Sequence, residues 1–154
     1  MTRDVVPVEG ACLCGQVRLR ISKTPFFTAV CHCSGCKKLA SSAFSLTVAV
    51  PAEGFEVTQG EPVIGALHGP HQHFYCPHCM SWMFTRPHGF DFFVNVRSTL
   101  LDNDAWTTPF LETGAAHKLP WVTTPAPHSF AEFPGEADIP GILEGFAREM
   151  GANS

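Results

Sequence analysis

The apolar positions of this chain recur mostly in short runs of period two. Val17, Leu19 and Ile21 alternate with Arg18, Arg20 and Ser22, and Phe44, Leu46, Val48 and Val50 alternate with Ser45, Thr47 and Ala49 up to Pro51. Such alternation predicts strands with one buried face. Phe26 to Val30, Phe55 with Val57, Val63 to Leu67, His71 to Tyr75, Met80 to Thr85, and Phe92, Val94 and Val96 predict further strands, with glycine and proline at the joints. Lys37 to Ala40 predicts one helical turn, and Asp102-Asn103-Asp104 with Pro109, Pro120, Pro125 and Pro127 predicts a loop-rich region. The period changes at the C-terminus. Ile142, Leu143, Phe146 and Met150 recur at three- and four-residue steps, which predicts a short amphipathic helix over 140–150, with Pro140 near its start and Gly151 past its end. Its apolar stripe reads as core packing ahead of a dimer contact. The expected fold class is mainly β, antiparallel sheets with a short C-terminal helix.

Composition narrows the function classes. A chain of 154 residues suits a single domain over 1–154. With 45% hydrophobic and 16% charged residues it is globular in composition, and the 13 phenylalanines predict an aromatic core. The formal net charge is −4 and the 10 Lys and Arg residues are scattered, which leaves no footprint for nucleic acid or an anionic membrane. No segment approaches the roughly 18 apolar residues of a spanning helix, and Met1 to Pro7 lacks the apolar run of a signal peptide. The expected location is cytoplasmic, with a monomer or homodimer both open.

In a reducing compartment, clustered cysteines are metal ligands before they are disulfides. The 7 cysteines fall in Cys12-Leu13-Cys14, Cys31-His32-Cys33-Ser34-Gly35-Cys36 and Cys76-Pro77-His78-Cys79, the last at a predicted hairpin tip. Zinc takes four protein ligands in a structural site and three where a position stays open for chemistry. The thiols therefore divide as four plus three, with Cys12, Cys14, Cys76 and Cys79 able to close one site and Cys31, Cys33 and Cys36 left as another. In extended chain Cys31 and Cys33 share a face, and a Ser34-Gly35 turn brings Cys36 round, leaving His32 pointing away. A fourth ligand at the second site is left open among water, a substrate thiol, His78, His73 and Asp102. Lys37, Lys38 and Arg86 are candidates to offset the thiolate charge or to hold a substrate carboxylate. Among the 8 histidines, His68, His71, His73 and His88 surround the second half of the motif set, and His32 and His78 sit inside it.

The order Gly10-x-Cys12-x-Cys14-Gly15-x-Val17, then Cys31-His32-Cys33-Ser34-x-Cys36-x-Lys38 followed by Ser42-Ala43-Phe44, then Cys76-x-x-Cys79, resembles the glutathione-dependent formaldehyde-activating enzyme (GFA) family. Thr99 to Asn103 and Leu119-Pro120-Trp121 resemble it too, so the likeness runs from about Gly10 to Phe133. The resemblance implies a zinc-pinned β-tent, with Cys12, Cys14, Cys76 and Cys79 holding a structural zinc and Cys31, Cys33 and Cys36 a catalytic one, two per chain. It also implies a carbon–sulfur lyase-type reaction of glutathione with formaldehyde, giving S-hydroxymethylglutathione. The alternative is a zinc-stabilised interaction module without catalysis, because similar domains occur in centromere-associated proteins; the lack of basic or low-complexity arms favours the enzyme. Two positions depart from the family pattern. Met80 stands where the family has a glycine after its last zinc cysteine, and Ser41 where it often has one before the Ala-Phe segment.

Overall fold

Alternation becomes strand where one face can be buried, and eleven strands form among the described residues. The computed structural model describes residues 4–65, Leu67 and residues 69–152. In chain order these form β1 (Val8–Ala11), β2 (Arg18–Ile21), β3 (Phe27–Cys31), α1 (Ser34–Ala40), β4 (Ser45–Pro51), β5 (Phe55–Gln59), β6 (Val63–Gly65), β7 (Gln72–Tyr75), β8 (Trp82–Arg86), β9 (Phe93–Arg97), β10 (Leu111–Thr113), β11 (His128–Ser129) and α2 (Ile139–Ala152). A three-stranded sheet, β1-β2-β5, accompanies an eight-stranded sheet in the order β11-β10-β3-β4-β9-β8-β7-β6. The mainly β class with a C-terminal helix is as the sequence predicts. The Val63–Leu67 expectation survives as β6, with Ala66 and His68 outside the described residues.

One hydrophobic core joins the sheets. Leu19 and Ile21 of β2 are fully buried in it with Val48 and Val50 of β4, Val94 and Val96 of β9 and Phe84 of β8. Phe84 stacks on Phe74 at 4.6 Å and meets Phe55 at 4.7 Å between ring centroids. Burying a large apolar side chain contributes about 1.5–3 kcal/mol, so the alternating valines and this aromatic stack carry much of the fold. Ile142, Phe146 and Met150 of α2 enter the same core, with Phe146 edge-on to Phe110 at 5.6 Å. The apolar stripe of α2 is thus spent on packing.

β10 and β11 lie in the stretch that reads as loop. β10 runs parallel to β3, Leu111 opposite Ala29 and Thr113 opposite Cys31, and β11 runs parallel to β10. Their parallel sense adds to the antiparallel ladders elsewhere. Such a pairing needs a long connection, and here most of the chain intervenes. No helix among the described residues is long and apolar enough to cross a membrane.

Candidate metal centres

The turn between β1 and β2 carries Cys12 and Cys14, and the β7–β8 hairpin tip carries Cys76 and Cys79. Their four Sγ atoms lie within 4.8 Å of one another. Cys12 and Cys14 are 3.6 Å apart and Cys14 and Cys76 3.7 Å, close to the spacing of about 3.8 Å in a tetrahedral site with metal–sulfur bonds near 2.3 Å. Backbone amides converge on the sulfurs: Val17 donates to Cys12 at 3.3 Å, and His78 and Cys79 donate to Cys76 at 3.4 and 3.5 Å. Ser81 ties the two arms together, its Oγ accepting from the Leu13 amide at 3.1 Å and lying 3.2 Å from Cys79 Sγ. Burial opposes the Cys12 thiolate, but the Val17 amide and the Cys14 and Cys76 thiols hold its pKa below the ordinary thiol value. The Ser81 hydroxyl draws Cys79 down to about 5. At Cys14 the Gln16 amide favours the thiolate, yet burial and the three neighbouring thiols push it up to about 11. Thiols this close hold protons that a cation would displace.

The second group forms where a strand becomes a helix. β3 ends at Cys31, Cys33 is the N-cap of α1, and Cys36 lies in its first turn. Their Sγ atoms also lie within 4.8 Å of one another. The Cys36 amide donates to Cys33 Sγ at 3.3 Å. Gly114, at φ 62°, approaches Cys33 so closely that a Cβ would stand 2.9 Å from the Cys33 nitrogen; the turn requires glycine there. The Cys33 thiol, with burial, raises the pKa of Cys31. Cys31 and Cys33, then burial, push Cys36 far above the ordinary value. No histidine or carboxylate among the described residues joins this group.

Of the protein candidates for a fourth ligand, His73 and Asp102 are engaged elsewhere and His78 sits at the other cluster. His73 Nδ1 lies 2.8 Å from Thr85 Oγ1, Asp102 pairs with Arg18 at 3.5 Å, and His78 offers its amide to the other cluster. His71 Nδ1 accepts from the His88 amide at 3.0 Å, and His68 lies outside the described residues. His32 turns away from the thiols, as expected, and its Nε2 meets Glu112 Oε1 at 2.7 Å. Lys37 donates to the His117 carbonyl at 2.7 Å, while Lys38 is exposed on α1.

Among the strand arginines, Arg97 shares the face of Cys31 and Arg86 does not. Cys31 pairs with Ser45 and Thr47 with Arg97, which puts Cys31, Ser45, Thr47 and Arg97 on one face of the large sheet. Arg86 shares the opposite face with Phe84, its guanidinium 5.7 Å from the Phe55 and Phe84 ring centroids. Burial pulls the pKa of Arg97 down to about 10, opposed by Cys36, Cys31 and Tyr75. In the sequence Arg97 follows Val96 at a polar phase of the strand, so the pattern reads it as solvent-facing. Ser81 carries no signal beyond its place two residues after Cys79.

Both departures from the family pattern fall on special backbone. Ser41, at φ 52°, and Met80, at φ 59°, are the non-glycine residues of positive φ among the described residues. Ser41 closes α1 with its amide on the Lys37 carbonyl, and the Met80 amide closes the knuckle turn on the Cys76 carbonyl at 2.9 Å. The turn geometry that glycine favours is kept without it.

A crystal structure of a Rhodobacter sphaeroides protein is similar in fold, with a TM-score of 0.52 and 18% identity over 62% of this chain and 88% of that one. Comparison with curated proteins returns no match. The family model described as "Glutathione-dependent formaldehyde-activating enzyme" matches residues 7–114. That span takes in both cysteine clusters and ends at the glycine packed against Cys33, leaving Leu119-Pro120-Trp121 beyond it. Since more than half of the chain is matched, with every thiol of both centres inside, the chain belongs to the glutathione-dependent formaldehyde-activating enzyme family.

Proposed function

We propose that the protein is a zinc-dependent carbon–sulfur lyase-type enzyme that adds a thiol, glutathione, to a small aldehyde such as formaldehyde, or removes it. The observation that carries this is the three-thiol group of Cys31, Cys33 and Cys36, one ligand short of a closed site among the described residues. Cys12, Cys14, Cys76 and Cys79 would hold a structural zinc and Cys31, Cys33 and Cys36 a catalytic one. Bound there, zinc would supply Lewis acidity and favour the thiolate form of an incoming thiol.

In the forward direction a carbon–sulfur bond forms as the carbonyl π bond breaks, and the proton lost by the thiol ends on the former carbonyl oxygen. The chain's part is to bind and orient. The strand-to-helix turn brings three sulfurs together, Gly114 backs that turn, and Ser45 and Thr113 flank Cys31 on either side of β3. Lys37 and Lys38, beside Cys36 on α1, are the cations that would meet a glutathione carboxylate. None of the seven cysteines forms a disulfide, which also suits a reducing compartment, the cytoplasm.

Calorimetric titration of glutathione into the zinc-loaded chain, followed by a panel of aldehydes, tests this reading. Glutathione is expected to bind only the zinc-loaded chain and formaldehyde to be consumed faster than in buffer. A chain that holds two zinc ions yet binds no glutathione would favour the interaction module.

A further inference from the structure

On the Cys31 face of the large sheet, Arg97 is a buried cation without a carboxylate. It is 9% exposed, and its Nε has no hydrogen-bond partner. None of the ion pairs among the described residues includes it. Its guanidinium lies over the Trp82 ring, 4.1 Å from Cζ to centroid. That ring is held in turn, its Nε1 donating to Thr85 Oγ1 at 3.2 Å and its edge braced by His73 at 5.2 Å. Thr85 is itself fixed by His73 Nδ1 at 2.8 Å. A buried charge is costly unless something of opposite sign faces it. The groups that would face Arg97 with negative charge once ionised are Cys36 and Cys31 of the three-thiol cluster, and Tyr75, and the strand register puts Cys31 and Arg97 on one face of the sheet. Guanidinium suits such a place because it is weakly hydrated and stacks well on aromatic rings.

We propose that Arg97 is the counter-cation of the Cys31, Cys33 and Cys36 centre and makes its open position selective for an anionic sulfur ligand, the thiolate of the co-substrate. This rests on the reading of that cluster as the reactive centre. A divalent ion on three thiolates carries one net negative charge; a water in the fourth position leaves it so, and a thiolate doubles it. Coulomb attraction scales with the product of the charges, so Arg97 favours the thiolate-bound state over the water-bound one. The proton that the thiol gives up on binding passes to solvent. Arg97 acts through the centre and is a positioning residue, whereas Trp82, Thr85 and His73 hold it in place.

The test uses the full chain as wild type, R97M and R97K, with zinc, glutathione and glutathione diethyl ester as probes. Second-zinc affinity is read by chelator competition and thiol affinity by calorimetry. R97M is expected to keep the first zinc and to lose roughly tenfold or more in affinity for the second zinc and for both thiols alike, while R97K retains most of each. Should R97M fail to fold, R97Q serves as the neutral variant. Unchanged affinities in the neutral variant overturn the inference alone, as does a Lys variant as impaired as the neutral one. Loss confined to glutathione, with the diester unaffected, overturns it by making Arg97 a carboxylate contact. A wild-type chain that takes a single zinc overturns both this inference and the reading beneath it.

Discussion

His32 Nε2 and Glu112 Oε1 meet at 2.7 Å across the parallel β3–β10 ladder, both side chains buried. Glu112 also accepts from Ser129 at 2.8 Å, Thr124 at 3.0 Å and Lys118 at 3.4 Å. A single carboxylate therefore ties β10, β11 and the loop between them to the segment that bears Cys31 and Cys33. Hydrogen bonds to a buried charged group contribute about 1.5–3 kcal/mol. Glu112→Ala is expected to lose that much stability in urea melts at neutral pH.

The same carboxylate sets an acid limit. Burial disfavours its charge, but Ser129, His32, Thr124 and Lys118 together hold its pKa below the ordinary value. A depressed folded pKa means that the stabilisation is present above the unfolded pKa, near 4.5, and is lost as pH falls through the folded pKa. Urea midpoints of wild type measured downward from pH 5 should drop more steeply than those of Glu112→Gln. Parallel curves would show that Glu112 does not carry this linkage.

Met80 and Ser41 hold left-handed backbone that costs a non-glycine residue about 1–2 kcal/mol. Both side chains are exposed, so little packing is lost by removing them. Met80→Gly and Ser41→Gly are each expected to stabilise the chain by about 0.5–1 kcal/mol, after the added freedom of the unfolded chain is deducted. In thermal melts this is a rise of a few degrees, and a fall at either position would contradict the strain.

Ser81 bridges Leu13 and Cys79 across the four-cysteine centre. Groups that orient metal ligands are worth roughly 10–100-fold in metal affinity. Ser81→Ala should weaken the first metal by that order in chelator competition while the second centre, on other elements, is unaffected. Equal weakening at both centres would argue that the substitution acts through the fold as a whole.

β2 and β4 could be read from the sequence because each sets apolar against polar residues over a clear run. β10 could not, because Leu111, Glu112 and Thr113 are all buried and a three-residue strand with no exposed phase has no alternation. β1 is interrupted by Gly10, which is needed where a Cβ would stand 2.5 Å from the Leu100 carbonyl oxygen. The cysteine clusters were legible because metal ligands come in close pairs whose spacing reflects local turns. Arg97 was not, since an arginine at a polar phase of a strand looks the same whether it meets water or lies over a tryptophan beside thiols. Glu112 was hidden likewise, its partners being contributed by residues 6 to 80 positions away.

The division of labour between the two centres is tested most directly by comparing Cys36→Ser with Cys12→Ser for thermal stability and for glutathione-dependent consumption of formaldehyde. Cys36→Ser should stay folded, hold one zinc and lose the activity, whereas Cys12→Ser should unfold. A Cys36→Ser chain that melts as early as Cys12→Ser, or that consumes formaldehyde at the wild-type rate, would contradict the assignment of the open centre to chemistry.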